Sequence, residues 1–188
     1  MAAKHIVISK DGTRIGFLST GAGPSVLVVP GVLSMAADYA ASAHHLAARL
    51  SVHTIERRGR GESGPQGDDY SIVKECDDVR ALQAQTDATL LVGHSYGGLV
   101  ALEVARNNSS FTKNAVTAGV LLMHGGKSDS KAVTLGMERL ATLLPHSETK
   151  EFPALDHFGI ERTAPREVAE AVSDFFLKLP SLAYMVGK

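Results

Sequence analysis

Three short stretches of this chain are apolar without interruption: SVLVV at 25–29, LLV at 90–92 and VLLM at 120–123. A strand with one wet face alternates polar and apolar residues, so an unbroken run needs cover on both faces. Between these runs the apolar residues recur at helical spacing instead. Ser71 stands where it can cap a helix whose Ile72, Cys76, Val79 and Leu82 share a face. Val100 and Val104, with Ala101 and Ala105, form a second stripe, and Val133, Met137, Leu140 and Leu144 form a third that Pro145 stops. Val168, Val172, Phe175 and Leu179 make a fourth behind Pro165, a residue suited to a first helical turn. An alanine-rich helix is expected over roughly 36–50, a weaker strand at 52–55 and a short one at 150–152. Ahead of these, 5–9 and 14–19 read as a hairpin turning at Lys10-Asp11-Gly12. Alternating buried strands and amphipathic helices predict an α/β fold, a three-layer sandwich with a mostly parallel central sheet.

A length of 188 residues suits one domain over the whole of 1–188. The net charge of −1 gives no electrostatic reason for nucleic acid or an anionic membrane as partner. Cys76 is the single cysteine, which excludes an internal disulfide or a thiolate cluster and reads as a small buried helix residue. The opening MAAKHIVISKDG lacks the pattern of an export signal, and no apolar run has membrane length, so a cytoplasmic location is expected. His44 and His45, adjacent on a helix, point to different sides and make poor metal partners. The glycines of ERRGRGES carry neither dinucleotide nor P-loop spacing. Neither a metal nor a cofactor is expected.

The segment Gly93-His94-Ser95-Tyr96-Gly97 fits Gly-x-Ser-x-Gly, with a strand pattern directly before it and a helix pattern directly after. A serine on so sharp a turn needs tiny neighbours two residues away on either side, which Gly93, Gly97 and Gly98 supply. The helix that follows aims free amides and the positive end of its dipole at developing negative charge. An ordinary glycine turn is the structural alternative.

VVPGVLS (28–34), ERRGRGESG (56–64), VGHSYGG (92–98) and ALDHFG (154–159) occur in that order, each at a strand's C-terminal end or in the loop after it. On these four motifs, over nearly its full length, the chain resembles the α/β-hydrolase superfamily, in its serine esterase and lipase-like branch. The resemblance implies Ser95 as nucleophile, His157 as general base, and the backbone amides of Val32 and Tyr96 as oxyanion donors. For the acid, relatives carry His-Gly-x-x-Asp after a late strand. Here MHGGKSD puts Ser128 at the aspartate position and Asp129 one residue later. Asp129 is taken as the acid, with water or Ser128 as the alternative partner of the base. His94, inside the elbow, is read as packing or pocket wall, and Leu33 and His124 as further pocket residues. The arginines of the second motif are read as pairing with nearby carboxylates.

Relatives are longer, with a further strand and a helical cap after the nucleophile helix. Here SSFTKNAVTA (109–118) is too short for either. The late strand must then move in beside the nucleophile strand or leave a gap that another chain fills, and a homodimer is one way to shield apolar surface left uncovered. The expected function is hydrolysis of small-molecule carboxylic esters or thioesters through an acyl-enzyme, with small acyl groups because a lidless site offers little enclosure. Serine at the elbow argues against the epoxide hydrolases and dehalogenases of the same superfamily. Two alternatives stay open: a catalytically degenerate ligand- or partner-binding protein, and a biosynthetic cyclase or acyl transferase.

Overall fold

The turn at Lys10-Asp11-Gly12 forms as its residues require, with Asp11 accepting the Thr13 amide at 3.1 Å. The computed structural model, which describes residues 2–106, 120–127, 131–143 and 147–179, opens with β1 (Ala3–Ile8) antiparallel to β2 (Arg14–Thr20). β2 then pairs antiparallel with β4 (Ser51–Ile55). β3 (Ser25–Val29) lies between β4 and β5 (Leu90–Gly93), parallel to both, giving the order β1-β2-β4-β3-β5.

The unbroken SVLVV run has a simple explanation in the layers. Val26 and Val28 face one core, shared with Leu46, Val172 and Phe176, while Leu27 and Val29 face the other, shared with Cys76, Val79 and Val100. The first core lies under α1 (Ala40–Leu46) and α6 (Pro165–Leu177), the second under α2 (Ile72–Thr86) and α3 (Tyr96–Arg106). The helix expected over 36–50 is shorter, a 3₁₀ turn (Ala36–Tyr39) running into α1. Ser71 caps α2 by accepting the Lys74 amide at 3.4 Å, and Pro165 opens α6.

Behind α3 the fold departs from a single sheet. β6 (Val120–Gly125) pairs only with β7 (Ser147–Phe152), in parallel, and among the described residues no ladder joins β5 to β6. Of the two arrangements open from the sequence, the described residues do not show the late strand beside the nucleophile strand. α4 (Lys131–Leu143) connects β6 to β7, and α5 (Gly159–Arg162) leads into α6. This half docks on the first through Phe152, Leu155 and α6, which enter the same core as Val26 and Val28. Among the described residues no helix is long and apolar enough to cross a membrane.

The loop after β4 turns two arginines inward. Arg57 donates to both oxygens of Glu75 at 2.6 and 2.5 Å, and Arg58 to both of Asp78 at 2.7 Å. All four side chains are buried, so removing one member of a pair leaves an uncompensated charge, at a cost of about 3–5 kcal/mol. Arg58 also reaches Asp11, and this hydrogen bond holds the Asp11 carboxyl well below the usual carboxylate range. The two pairs pin the loop to α2.

Candidate active site

β5 ends at Gly93 and α3 begins at Tyr96, leaving two residues to reverse the chain. Ser95 absorbs the bend with φ +54°, a left-handed conformation that costs a non-glycine residue about 1–3 kcal/mol. The flanking glycines are there for space. A Cβ on Gly97 would overlap the Val29 carbonyl and lie 2.7 Å from that of Pro30, and one on Gly93 would lie 2.6 Å from the Gly98 Cα. The elbow is thereby seated against the end of β3, where the His94 amide donates to the Val29 carbonyl at 3.1 Å.

Ser95 faces a cleft of about 180 Å³ lined also by Gly31, Val32, Leu33, His157 and Phe158. Val32, Leu33 and Phe158 are exposed, so the mouth has an apolar rim. His157 sits half-buried in the loop between β7 and α5. Its neighbour Asp156 accepts the amides of Phe158 and Gly159 at 3.0 and 2.6 Å and so is committed to the turn that starts α5. No hydrogen bond joins Ser95 Oγ to the His157 ring among the described residues; without a ligand such contacts are often long.

His94 ties three segments of the site together. Its Nε2 is 2.9 Å from the His157 carbonyl, and its Nδ1 is 2.8 Å from the Tyr39 hydroxyl, which in turn accepts the Gly31 amide at 3.2 Å. A carbonyl can only accept, so Nε2 carries the proton and Nδ1 accepts from Tyr39. Burial pushes the His94 pKa below the ordinary imidazole value, although the Glu161 carboxylate, 3.3 Å from Nδ1, opposes the shift. Burial, reinforced by Glu161, pushes the Tyr39 phenol well above its usual range and keeps it a donor. Glu161 is itself buried and accepts from Ser34 Oγ at 2.8 Å. One neutral imidazole therefore links the elbow, the loop after β3 and the backbone of His157.

The arginine loop also reaches the loop after β3. Arg57 Nη1 donates to the Gly31 carbonyl at 3.2 Å. That carbonyl shares a planar peptide unit with the Val32 N–H, and the two point in opposite directions. Holding the carbonyl toward Arg57 fixes where the Val32 N–H aims. Arg60 donates to the next carbonyl, that of Val32. The Tyr96 amide, the first of α3, has no intrahelical acceptor; Arg57 lies over the Tyr96 ring, 4.6 Å from its centroid, and the Tyr96 hydroxyl is hydrogen-bonded to that of Tyr70 at 2.6 Å.

The model of the alpha/beta hydrolase family matches residues 26–168. The chain belongs to that family. An uncharacterized protein of Mycobacterium tuberculosis is 31% identical to this hydrolase over 96 residues, 50% of this chain and 28% of the relative. The chain thus spans little more than a quarter of the length of the curated relatives it matches. Among solved structures, an alpha/beta hydrolase from Sphaerobacter thermophilus superposes with a TM-score of 0.76 at 21% identity, covering 92% of this chain and 100% of that one. A thermophilic esterase from Thermogutta terrifontis gives 0.79 at 17% identity, covering 94% and 99%.

In this α/β hydrolase the structure brings Ser95, His157, Val32, Leu33 and His94 to one cleft. Tyr96 and His124 line a second, larger cavity that also reaches Ser95 and His157. Asp129 and Ser128 lie outside the described residues. Lys127, the last described residue before them, donates its amide to the Leu155 carbonyl at 2.9 Å. The arginines pair with carboxylates and His94 lines the pocket, as the sequence led us to expect; sequence reasoning missed Tyr39, Glu161 and the bond from Arg57 to the Gly31 carbonyl. Arg57 and His94 carried a signal, in the motifs ERRGRGESG and VGHSYGG; Tyr39 and Glu161, 122 residues apart, have no local pattern to announce them.

Proposed function

We propose that this α/β hydrolase is a serine hydrolase of carboxylic esters or thioesters. The observation that carries the reading is Ser95 at φ +54° on a strand-to-helix elbow, facing a cleft it shares with His157. Ser95 Oγ attacks the carbonyl carbon as His157 takes its proton. The Val32 and Tyr96 amides receive the developing oxyanion, and His157 returns the proton to the departing alcohol or thiol. Water activated by the same imidazole then releases the acid. Asp129 is the proposed acid behind His157; support for it is that Lys127, two residues before, donates its amide to the carbonyl of Leu155, two residues before His157. An aspartate there fixes the imidazole's tautomer and stabilises its charged form.

Labelling with a fluorophosphonate tests the reading directly. Intact mass should show one adduct, mapped to Ser95 and lost in Ser95→Ala and His157→Ala. Folded protein that takes no adduct and cleaves no ester would leave a hydrolase scaffold serving as a binding protein.

A further inference from the structure

Nδ1 of His94 faces two oxygens of opposite sense. The Tyr39 hydroxyl, 2.8 Å away, can donate to it, whereas the Glu161 carboxylate, at 3.3 Å, can only accept. A neutral imidazole holds one ring proton, and the partner of one nitrogen decides whether the other carries it. With Tyr39 donating to Nδ1, the proton stays on Nε2 and reaches the His157 carbonyl at 2.9 Å. With Glu161 as the partner, Nδ1 would take the proton, and a bare Nε2 would face that carbonyl, lone pair against lone pair. Glu161 has the capacity to compete. Its side chain is fully buried, Oε2 accepts from Ser34 Oγ at 2.8 Å, and Oε1 makes no hydrogen bond among the described residues, with Arg162 Nε 3.0 Å away. The His94 and His157 rings also lie against each other, 4.9 Å between centroids, so what His94 does with its proton is felt at the base.

We propose that Tyr39 and Glu161 are positioning residues for the proposed reaction, competing to set the tautomer of His94 that holds the backbone of His157. The proposal rests on the serine hydrolase reading for its effect on rate, and on geometry alone for the tautomer. Tyr39 prevails in the folded protein because its proton lets both ring nitrogens of His94 pair, one as acceptor and one as donor. The same hydroxyl accepts the Gly31 amide at 3.2 Å, so it also steadies the loop that carries the Val32 amide. Glu161, two helical positions beyond the start of α5, is the restraint that makes the hydroxyl necessary: without a donor at Nδ1 its carboxylate draws the proton across the ring.

Ring-nitrogen chemical shifts of His94 at pH 8 read the tautomer without any turnover, and kcat for p-nitrophenyl acetate reads its consequence. The wild type should carry the proton on Nε2. Tyr39→Phe removes one hydroxyl, leaves Nδ1 to Glu161 and should move the proton to Nδ1. With it kcat should fall about 10- to 100-fold, and KM should change by less than about twofold, as for a misplaced base. Adding Glu161→Gln to Tyr39→Phe should reverse the move, because a carboxamide N–H donates to Nδ1 in place of the phenol and the competing acceptor is gone. The double variant should regain at least about fivefold in kcat over Tyr39→Phe, short of the wild type because the Gly31 amide has lost its acceptor. A second substitution that restores rate is not what loss of packing produces. A wild-type proton on Nδ1, or a kcat that does not follow the tautomer across the three proteins, would overturn the proposal. The expected tautomers in protein that takes no fluorophosphonate adduct and cleaves no ester would uphold the proton arrangement and overturn the hydrolase reading instead.

Discussion

Arg57 shows how one side chain can aim a backbone group it never touches, here the amide proposed to hold the oxyanion. Its guanidinium serves Glu75 with two N–H groups and the Gly31 carbonyl with a third, and so orients the Val32 amide through the stiffness of one peptide bond. A lysine keeps the charge but cannot supply that planar fork. Arg57→Lys is therefore expected to lower kcat by about 10- to 100-fold, below the roughly 100- to 1,000-fold of deleting a donor outright. KM should stay nearly constant, because the amide acts on the oxyanion more than on the bound ester. Ester kinetics alongside a thermal melt check this. A fall confined to melting temperature would mean that Arg57 serves only the fold.

At the scale of elements, the elbow depends on how closely α3 approaches the end of β3. Gly97→Ala inserts a methyl group where the Val29 and Pro30 carbonyls already stand, so the helix must back away. Turnover should fall at least 100-fold with the molecule still folded, since a misplacement near 1 Å costs about that much; circular dichroism with active-site titration would separate the two effects. This part of the site was legible because strand, turn and helix are contiguous in sequence, and glycine spacing reports steric demand directly. The sheet was legible for the same reason: SVLVV is unbroken because Val26 and Val28 face one layer and Leu27 and Val29 the other. The His94 hub was not, since its partners Tyr39, Glu161 and His157 are polar residues met only after folding. Nor does the sequence choose between closing the sheet and leaving it open after α3, because an apolar run such as VLLM satisfies either arrangement.

For the molecule as a whole, two imidazoles couple folding to pH. Burial pushes His94 and His53 below the ordinary value of about 6.5, so the folded protein keeps them neutral where the unfolded chain already binds protons. Their stabilising effect is complete above about pH 6.5 and is lost as pH falls from there toward the lower native values. Urea unfolding from pH 8 to pH 5 should show that decline, and His53→Gln, away from the cleft, should flatten part of it. A longer-range consequence follows from the absence, among the described residues, of a ladder between β5 and β6. Ser95 belongs to one sheet and His157 follows the other, so their alignment depends on side-chain packing between two bodies instead of on continuous backbone pairing. Such a seam can open while each body keeps its secondary structure. If the proposed serine chemistry holds, its rate is thus a gauge of docking, and dilute denaturant should abolish ester cleavage before it unwinds a helix.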